Sequence, residues 1–590
     1  MTSGAGGGLR PIASPDGRLL VYPTRAGTRT ALRIRDLRTQ EDRWLVGETQ
    51  RDDQEGYAPN DIFPGYAFTP DSRAVVFLGG GRIRKVDIAT GDVTTIPFSA
   101  DVELGMGERL FVPHRIPDGP VPVTQLIAPV ESPDHRLLAF SAVGKVFVAN
   151  LSAGGAATPG LTRGSDREYF PAFSPDGQWI AWVSWNDSTG GYVWKARADG
   201  TGTPLCLTSQ PAAVSTPMWS PAGGRIVFSA SPRQAGLAFG PVVPMPRLLW
   251  VPANGGDAVE IAANGSSPAL VTGSGPLARV YFTEIEPGTG ATFPITDAGE
   301  AGLSINLASP SVPLRRITNE GANYAAWMDG GRTIGWSFAN HYHRVSTDTV
   351  MKYPVASSWN IESFDVTLTV PRTSPDGRVL LRGARIITMR GDEVIERGDV
   401  LVRNNRIEQV GASLNAPAGT PVIDVSGKTI IPGLVDVHAH PQTGRELAQG
   451  QEWSIASNLA FGVTTTRNPS GSRWNFAWGE LIDAGEMVGS RIFATGFPLT
   501  STNAPVRNAE DALHVVRRYK EQGANSLKQY LQPRRIQRQW ILQAALAEGI
   551  NATNEGAADL KADITMAIVG YTAIEHSIGI GLYTRTSSLY

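Results

Sequence analysis

The chain has 590 residues, of which 41% are hydrophobic and 18% are charged, and its formal net charge is −2. This length exceeds what one hydrophobic core organises, so we expect two or three domains. The near-zero charge offers no electrostatic basis for binding nucleic acid or an anionic membrane. The sequence also lacks an uninterrupted apolar run of about 20 residues, so membrane insertion is not expected.

The residue types that form turns and crosslinks narrow the structural class further. The counts of Gly, 65, and Pro, 42, indicate many turns and short strands rather than a helical protein. The single cysteine, Cys206, excludes an internal disulfide and a thiolate metal cluster, and it is expected to be a small buried residue in a strand. The first residues contain neither the basic nor the apolar region of a signal peptide.

A short turn motif recurs through the first part of the chain, each time before an apolar run. Proline restricts φ and Asp or Gly closes a tight turn, so the chain can reverse between two buried strands. Copies begin at Ser14, Thr69, Ser132, Ser174, Ser220 and Trp327, with a degenerate copy at Ser267. The spacings from Ser132 to Ser174 and on to Ser220 are 42 and 46 residues, close to the length of a four-stranded propeller blade.

This repeat resembles that of TolB-type β-propellers over residues 10–345, with six or seven blades visible. The resemblance implies an all-β propeller in residues 1–350. Trp179, Trp182 and Trp185 are expected to pack between blades, and a carbohydrate or peptide platform is the alternative.

A His-x-His pattern, His341 and His343, lies near the end of the repeat region. In a strand both side chains share a face, yet no carboxylates follow at metal-ligand spacing. A packed or solvated pair is therefore expected here.

The sequence pattern changes after a linker predicted at 351–376. Alternating strands with Gly and Asn turns follow at 377–433. Residues 433–440, Gly-Leu-Val-Asp-Val-His-Ala-His, then predict a first barrel strand. Further strands are predicted at 461–467, 491–496, 524–530, 549–555 and 571–576, with a helix at 509–522.

The order of these elements resembles the amidohydrolase superfamily, in its imidazolonepropionase- and prolidase-like branch, from about residue 378 to the end. The resemblance implies a multidomain protein: the propeller, a small β-sandwich at 377–433, and strands one to six of a (β/α)₈ TIM-type barrel at 434–590. The chemistry of such barrels lies at the carboxyl ends of the strands.

The His438/His440 pair is the predicted opening of a metal site. In a strand, residues i and i+2 point to the same face, so both imidazoles can hold one ion. Neutral imidazoles suit zinc with a position left open for water, and one or two divalent ions are expected.

The resemblance implies further ligands. Lys528 ends strand four, where the family's lysine is carboxylated and bridges two metal ions; a surface lysine at the barrel rim is the alternative. His576 matches the strand-six ligand. Glu555 replaces the strand-five histidine, and it either ligates the metal or leaves a second ion weakly held. Asn468 stands where an acidic residue is frequent, at a position that is not a ligand.

The 14 residues after His576 contain no Asp, whereas the family's strand-eight Asp is both general base and metal ligand. An open barrel would expose parallel-strand edges. The chain is therefore expected to be a fragment of a longer protein, catalytically incomplete by itself, with an N-terminus that is clipped as well.

These features predict a metal-dependent amidohydrolase that uses metal-activated water on C–N bonds of cyclic amides or small peptides, with the propeller as an access or binding domain. The alternative is a propeller-based binding protein with a vestigial, inactive barrel. A serine hydrolase is disfavoured because no Gly-x-Ser-x-Gly motif occurs. The substrate is not predicted, oligomer formation is left open, and the resemblance to TolB-type propellers implies a periplasmic or secreted location.

Overall fold

The structure is a computed structural model. The residues that it describes are 6–27, 29–51, 65–101, 103, 105–158, 164, 166–233, 247–262, 280–283, 293–296, 317–318, 322–329, 331–353, 359–441, 450–471, 474–501, 504–530, 532, 534–556 and 560–576. The chain divides into two compact units, the first comprising 1–112, 529–546 and 551–590, and the second 113–528 and 547–550. Each unit combines repeat motifs with part of the predicted barrel segment.

The first unit contains antiparallel sheets in the strand orders β1-β2-β3-β4 and β5-β6-β7-β8. Their strands are β1 (Ile12–Ala13), β2 (Leu19–Ala26), β3 (Arg29–Asp36), β4 (Asp42–Arg51), β5 (Tyr66–Phe68), β6 (Ala74–Gly79), β7 (Arg82–Asp87) and β8 (Val93–Ile96). Leu32, Val75 and Phe77 lie in the core that these sheets share.

In the second unit, residues 127–262 form three further four-stranded antiparallel sheets in sequential order. After a short strand, β9 (Val121–Pro122), their strands are β10 (Ile127–Glu131), β11 (Leu137–Ala142), β12 (Lys145–Asn150), β13 (Ala157–Thr158), β14 (Arg167–Phe173), β15 (Trp179–Asn186), β16 (Gly190–Arg197), β17 (Leu205–Cys206), β18 (Ala213–Trp219), β19 (Arg225–Ser231), β20 (Arg247–Pro252) and β21 (Val259–Ala262).

The later repeats continue this pattern with a strand pair and a four-stranded sheet, β24-β25-β26-β27. The elements are β22 (Val280–Thr283), β23 (Phe293–Thr296), β24 (Asn323–Met328), β25 (Thr333–Phe338), β26 (His341–Ser346), helix α1 (Thr347–Lys352), β27 (Glu362–Asp365) and β28 (Thr369–Val370). Strand β27 lies inside the predicted linker 351–376, so the linker prediction is wrong at this point. The cause is that β27 is polar and largely exposed, and its sequence carries no strand pattern.

The repeated turn motif acts as the sequence predicts. Each described copy joins the first and second strands of its sheet. The hydroxyl of Ser14 donates to the Asp16 carboxylate over 2.5 Å and accepts from the Leu19 amide over 2.8 Å. The copies at Thr69, Ser132 and Ser174 repeat this arrangement. The degenerate copy at Ser267 lies outside the described residues.

The predicted packing role of the tryptophans is confirmed for two of them. Trp182 and Trp185 are 1% and 2% exposed and lie within the sheet cores. Trp179 is half-buried, and the Lys195 ammonium lies 4.4 Å from its ring centroid. Cys206 ends β17 and is half-buried, and burial raises the pKa of its thiol.

His135 joins two sheets of the second unit. It replaces the glycine of the turn motif and takes a left-handed conformation, with φ of 62°. Its Nδ1 lies 2.8 Å from the Glu131 carboxylate of its own sheet, and its Nε2 lies 3.0 Å from the Asp329 carboxylate after β24. Arg344 of β26 also donates to Glu131 over 2.6 Å. The hydrogen bond to Glu131, which opposes the cost of burial, raises the pKa of His135.

The predicted small sandwich, 377–433, contains one five-stranded sheet among its described residues. The order is β31-β30-β29-β32, and β33 also pairs with β29. The strands are β29 (Arg378–Ile387), β30 (Val394–Arg403), β31 (Arg406–Gly411), β32 (Val422–Asp424) and β33 (Thr429–Ile430). Val422, Ile423 and Ile407 on this sheet are about half or more exposed. The two-layer sandwich therefore stays a prediction.

The barrel segment forms parallel strands with connecting helices. Strands β34, β35 and β36 make one parallel sheet, β38 pairs in parallel with β39, and the described strands form no closed sheet. The elements are β34 (Leu434–Asp436), α2 (Trp453–Ala460), β35 (Val463–Asn468), α3 (Trp474–Asp483), β36 (Arg491–Ala494), α4 (Ala509–Glu521), β37 (Ser526–Gln529), α5 (Arg535–Glu548), β38 (Asn551–Asn554), α6 (Leu560–Val569) and β39 (Ala573–Ile574). The predicted strand and helix types are confirmed; the complete barrel stays a prediction.

The repeat sheets and the barrel segment of the second unit share one hydrophobic core. Ile455 of α2 and Trp478 and Leu481 of α3 pack with Trp185 and Phe228 of the sheets. Burying such apolar surface contributes roughly 25 cal/mol per Å² to folding. These parts of the second unit therefore form one folding unit.

A polar contact supports the same interface. The Asp187 carboxylate accepts from the backbone amides of Gly450 and Gln451 over 2.9 and 3.0 Å, and from the Trp185 indole over 2.6 Å. Arg167 donates to the Gly450 carbonyl over 2.7 Å. A Cβ on Gly450 would lie 2.9 Å from the Asp187 carboxylate, so a larger residue there would displace this carboxylate.

None of the helices in the described part of the chain combines the length and apolar character that a membrane span requires.

We expect His135→Gly to lower the free energy of unfolding by roughly 1–2 kcal/mol at pH 6. A base whose pKa rises on folding contributes stability that is fully present below its unfolded pKa and is lost as pH rises through the folded value. At pH 9 the imidazole has lost its proton and this stabilisation is absent. Glycine meanwhile relieves a left-handed backbone strain of roughly 1 kcal/mol, so the loss on substitution should shrink towards zero. Urea unfolding at both pH values measures this difference. Ser72→Gly, at the same turn position with φ of 59°, is the control and should show no change between the two pH values. An equal loss at pH 6 and pH 9 for His135→Gly would contradict the prediction.

Glu480 on α3 generates a second pH prediction. Burial raises its pKa to about 7, although hydrogen bonds from Thr124 oppose the shift. Because its folded pKa lies above its unfolded value, the wild-type protein should lose up to about 2–3 kcal/mol of stability between pH 5 and pH 8. Glu480→Gln keeps one acceptor oxygen and should flatten this pH profile. Urea unfolding across the pH range tests it, with the exposed Glu510→Gln as control; parallel profiles for wild type and Glu480→Gln would refute the assignment.

Candidate metal site at the carboxyl ends of the parallel strands

His438 and His440 bring their Nε2 atoms to 3.1 Å from each other, with ring planes at 88°. Neither residue lies in a strand, because β34 ends at Asp436. The prediction that strand alternation places them on one face is therefore wrong, although the side chains do converge. His438 is half-buried and His440 is exposed.

A short turn after β34 produces the convergence. The Asp436 carboxylate accepts from the His438 backbone amide over 3.0 Å, which bends the chain directly after the strand. The Ala439 amide then donates to the Arg467 carbonyl over 2.9 Å and ties the turn to β35. Arg467 also donates from its side chain to the Val437 carbonyl over 3.3 Å. The neighbouring strand thus determines where the two imidazoles point.

Asn468, at the end of β35, determines the protonation of His440. Its side-chain oxygen accepts from the Ser470 backbone amide over 3.1 Å and lies 3.2 Å from His440 Nδ1. A backbone N–H can only donate, so this atom is the amide oxygen and His440 Nδ1 carries the proton. The Nε2 lone pair of His440 is then available to a metal ion. Asn468, which the sequence places at a position that is not a ligand, thus contacts the predicted ligand His440.

The pair fits half of a tetrahedral zinc site. Two nitrogens that each bind zinc at about 2.05 Å lie about 3.4 Å apart, close to the 3.1 Å observed. A ligating histidine also characteristically donates its other N–H to an oxygen acceptor, as His440 does to Asn468. Within the described residues, no group of three or more His, Cys, Asp or Glu side chains is placed to hold an ion.

The other His-x-His pattern provides a comparison. His341 and His343 lie within β26, and their ring centroids are 6.2 Å apart, against 4.9 Å for His438 and His440. Their Nδ1 atoms contact Asp365 and Ser363 of β27 over 2.7 and 2.8 Å. Both residues are half-buried, in agreement with the prediction of a packed or solvated pair.

The first unit contains a second pair of predicted ligands. Glu555 and His576 each follow the end of a parallel strand, β38 and β39 respectively. The Glu555 carboxylate lies 3.3 Å from His576 Nε2, and the Glu555 amide donates to the Gln529 carbonyl over 2.9 Å. This separation also suits two ligands of one ion.

Lys528 lies in β37 of the second unit and is 3% exposed. Its carbonyl accepts from the Leu499 amide over 2.8 Å. The alternative of a surface lysine at the barrel rim is excluded by this burial. A buried ammonium is costly unless it is paired or chemically modified.

The sequence prediction missed the residues that support the ligands. Arg467 and Asn468 are the clearest, and both belong to the Thr-Arg-Asn end of β35. Asn475 of α3, which accepts from the Asn468 side-chain amide over 2.9 Å, is the next. The polar Arg-Asn end of this threonine-rich strand was the available signal.

No protein-family model matches the chain. An imidazolonepropionase from Klebsiella pneumoniae is 38% identical over 99 residues, which cover 16% of this chain and 24% of that protein. A dihydroorotase from Geobacter metallireducens is 41% identical over 64 residues, 10% of this chain and 14% of that protein. The chain thus spans about a quarter or less of the length of these curated relatives.

Solved structures with weaker likeness include a prolidase complexed with N-methylphosphonate-L-proline and a putative TolB from Agrobacterium tumefaciens. The prolidase is 19% identical with a TM-score of 0.30, over 35% of this chain and 64% of that one. The TolB protein is 18% identical with a TM-score of 0.19, over 43% and 80%. Likeness at these TM-scores does not establish a common fold. The curated relatives match at higher identity, and they are named as an imidazolonepropionase and a dihydroorotase.

Proposed function

We propose that the protein is a metal-dependent amidohydrolase that hydrolyses C–N bonds of cyclic amides or small peptides. The observation that carries the proposal is the convergence of His438 and His440, with the proton of His440 held on Nδ1 by Asn468. The relatives, an imidazolonepropionase and dihydroorotases, support a cyclic-amide or related small-molecule substrate.

The proposed ligands are the Nε2 atoms of His438 and His440, a carboxylated Lys528, Glu555 and His576. The contact between Glu555 and His576 supports their assignment as one pair of ligands. The resemblance supports carboxylation of the buried Lys528, because a carbamate would attract a bound cation that an ammonium repels. One or two bound divalent ions, which we propose to be zinc, would acidify a water molecule and polarise the substrate carbonyl.

The protein's own residues contribute orientation. Asn468 keeps the His440 proton away from the ligating nitrogen. Hydrogen bonds from the His438 and Ala439 backbone amides hold the turn that carries both imidazoles, so the pair is preorganised before a metal ion binds. Preorganisation of ligands reduces the entropy lost on binding. We propose that the repeat sheets line this region or restrict access to it.

The TolB-type repeat also leads us to propose a periplasmic or secreted location.

We expect the protein to bind Zn²⁺ and the double variant His438→Ala/His440→Ala to bind it at least tenfold more weakly, because two of the ligating nitrogens are lost. Equilibrium dialysis with metal analysis measures the affinity. The matched control is His341→Ala/His343→Ala, which removes the same sequence pattern from β26 and should leave the affinity unchanged. Equal Zn²⁺ affinity of wild type and the His438/His440 variant would refute the proposed site.

Hydrolysis is the second test. The zinc-loaded protein is assayed against a dihydropyrimidine ring amide, an imidazolone and dipeptides ending in proline. We expect release of a new carboxylate from at least one of them, abolished by chelation and reduced by more than about 10²-fold in His440→Ala, because a nitrogen that would hold the ion is lost. Chelation-insensitive turnover would rule out the mechanism. Tight Zn²⁺ binding without turnover of any class would favour the alternative, a propeller-based binding protein with an inactive barrel.

A further inference from the structure

Helix α3 is buried on every side. Asn475, Phe476, Trp478, Glu480 and Leu481 are each less than a tenth exposed. A helix without a solvent face is packed between other elements rather than lying on the surface of a domain. Its two sides contact different parts of the second unit, the repeat sheets on one side and the parallel sheet on the other.

One side of α3 belongs to the core of the repeat sheets. Trp478 and Leu481 pack in the cluster that contains Trp185 and Val123. The Glu480 carboxylate accepts from both the backbone amide and the hydroxyl of Thr124, each over 2.7 Å. Thr124 lies in the segment between β9 and β10. This side of α3 is therefore held by both apolar packing and a buried polar contact.

Two successive hydrogen bonds link the other side of α3 to the candidate metal site. Asn475 Oδ1 accepts from Asn468 Nδ2 over 2.9 Å, and Asn468 Oδ1 lies 3.2 Å from His440 Nδ1. Asn468 and Asn475 are both 2% exposed. A Cβ on Gly471 would lie 2.4 Å from Asn475 Nδ2 and 3.0 Å from Asn468 Nδ2, so the intervening glycine leaves room for this contact.

We propose that Asn475 is a positioning residue for the metal site, and that α3 is the element through which the repeat sheets support it. The inference rests on the proposed function for the identity of the site. Asn475 does not touch the ion or the substrate in this proposal. Its Oδ1 accepts from Asn468 Nδ2, and this bond keeps Asn468 Oδ1 directed at His440 Nδ1.

The buried side-chain amide of Asn468 needs partners for both its nitrogen and its oxygen. Asn468 Nδ2 has Asn475 Oδ1 as an acceptor in a site closed to water. Without that oxygen only the Ser470 N–H, which donates to Oδ1 over 3.1 Å, still holds the amide, and Nδ2 turns towards another acceptor because a buried donor without a partner is unfavourable. The rotation withdraws Asn468 Oδ1 from His440 Nδ1. The His440 proton is then free to occupy Nε2, the nitrogen that the metal requires.

The test compares Asn475→Leu, which removes the acceptor at similar volume, with Asn475→Asp, which keeps an acceptor oxygen. The control is Asn458→Leu, an asparagine on the neighbouring helix α2 that lies outside this chain of hydrogen bonds. The first readout needs no metal: nitrogen NMR of the ¹⁵N-histidine-labelled, metal-free protein at pH 8, with His440 assigned by its own substitution. The second is Zn²⁺ affinity by equilibrium dialysis.

We expect His440 of wild type, Asn475→Asp and Asn458→Leu to carry its proton on Nδ1, and His440 of Asn475→Leu to shift towards the Nε2-protonated form. Zn²⁺ affinity should fall about tenfold in Asn475→Leu alone. An unchanged tautomer in a folded Asn475→Leu would overturn the proposal. If that variant does not fold, the smaller Asn475→Ala, which leaves space for water, is measured by the same criterion.

The two readouts separate this inference from the proposed function. If wild type binds no Zn²⁺ but the tautomer shifts in Asn475→Leu, the proposed metal site fails and the positioning role of Asn475 stands. If Zn²⁺ binds and depends on His438 and His440 while neither the tautomer nor the affinity responds to Asn475→Leu, the positioning role fails.

Discussion

The hydrogen bond between His440 Nδ1 and Asn468 Oδ1 is the constraint on which the candidate site depends. It spans 3.2 Å and its direction is decided by the Ser470 backbone amide, which can only donate. This assignment leaves a lone pair on His440 Nε2, which accepts from His438 Nε2 over 3.1 Å in the metal-free protein. An imidazole protonated at Nε2 would present a hydrogen to the ion instead of a lone pair, whatever its position in space.

The structure shows why the two His-x-His patterns differ in how closely their imidazoles approach each other. His341 and His343 have acceptors on the adjacent antiparallel strand, and their rings stay 6.2 Å apart. His438 and His440 lie beyond the end of a parallel strand, where the Asp436 carboxylate bends the chain and brings their Nε2 atoms to 3.1 Å. The pattern His-x-His therefore brings the two Nε2 atoms together only where the chain bends after its strand and a neighbouring strand ends beside it.

Sequence reasoning succeeded where the determining contacts are local. The turn motif at Ser14 needs partners no further away than Leu19, so its role and position could be derived from the residues themselves. The alternation of strands and helices after residue 434 was recognisable for the same reason, from periodicity within each element. The polar strand β27 was missed because it has no apolar alternation; it is added to its sheet by backbone pairing with β26.

The candidate site was predictable only in part, because its supporting contacts join residues far apart in the chain. Asn468 is 28 positions from His440, and their approach depends on the register of β35 against β34. That register cannot be obtained from residue spacing. The ligand types could be named from the sequence, whereas the side chains that orient them required the structure.

Burial of α3 limits what the repeat sheets can do for the barrel segment. A domain that opens and closes over a site needs an interface that separates at low cost, and such interfaces are small and polar. Trp478 and Leu481 instead belong to a continuous apolar core with the sheets, and Glu480 is held there by Thr124. Close-packed interiors resist displacement and transmit strain. The sheets that pack on α3 therefore form a fixed wall beside the segment that carries the proposed site.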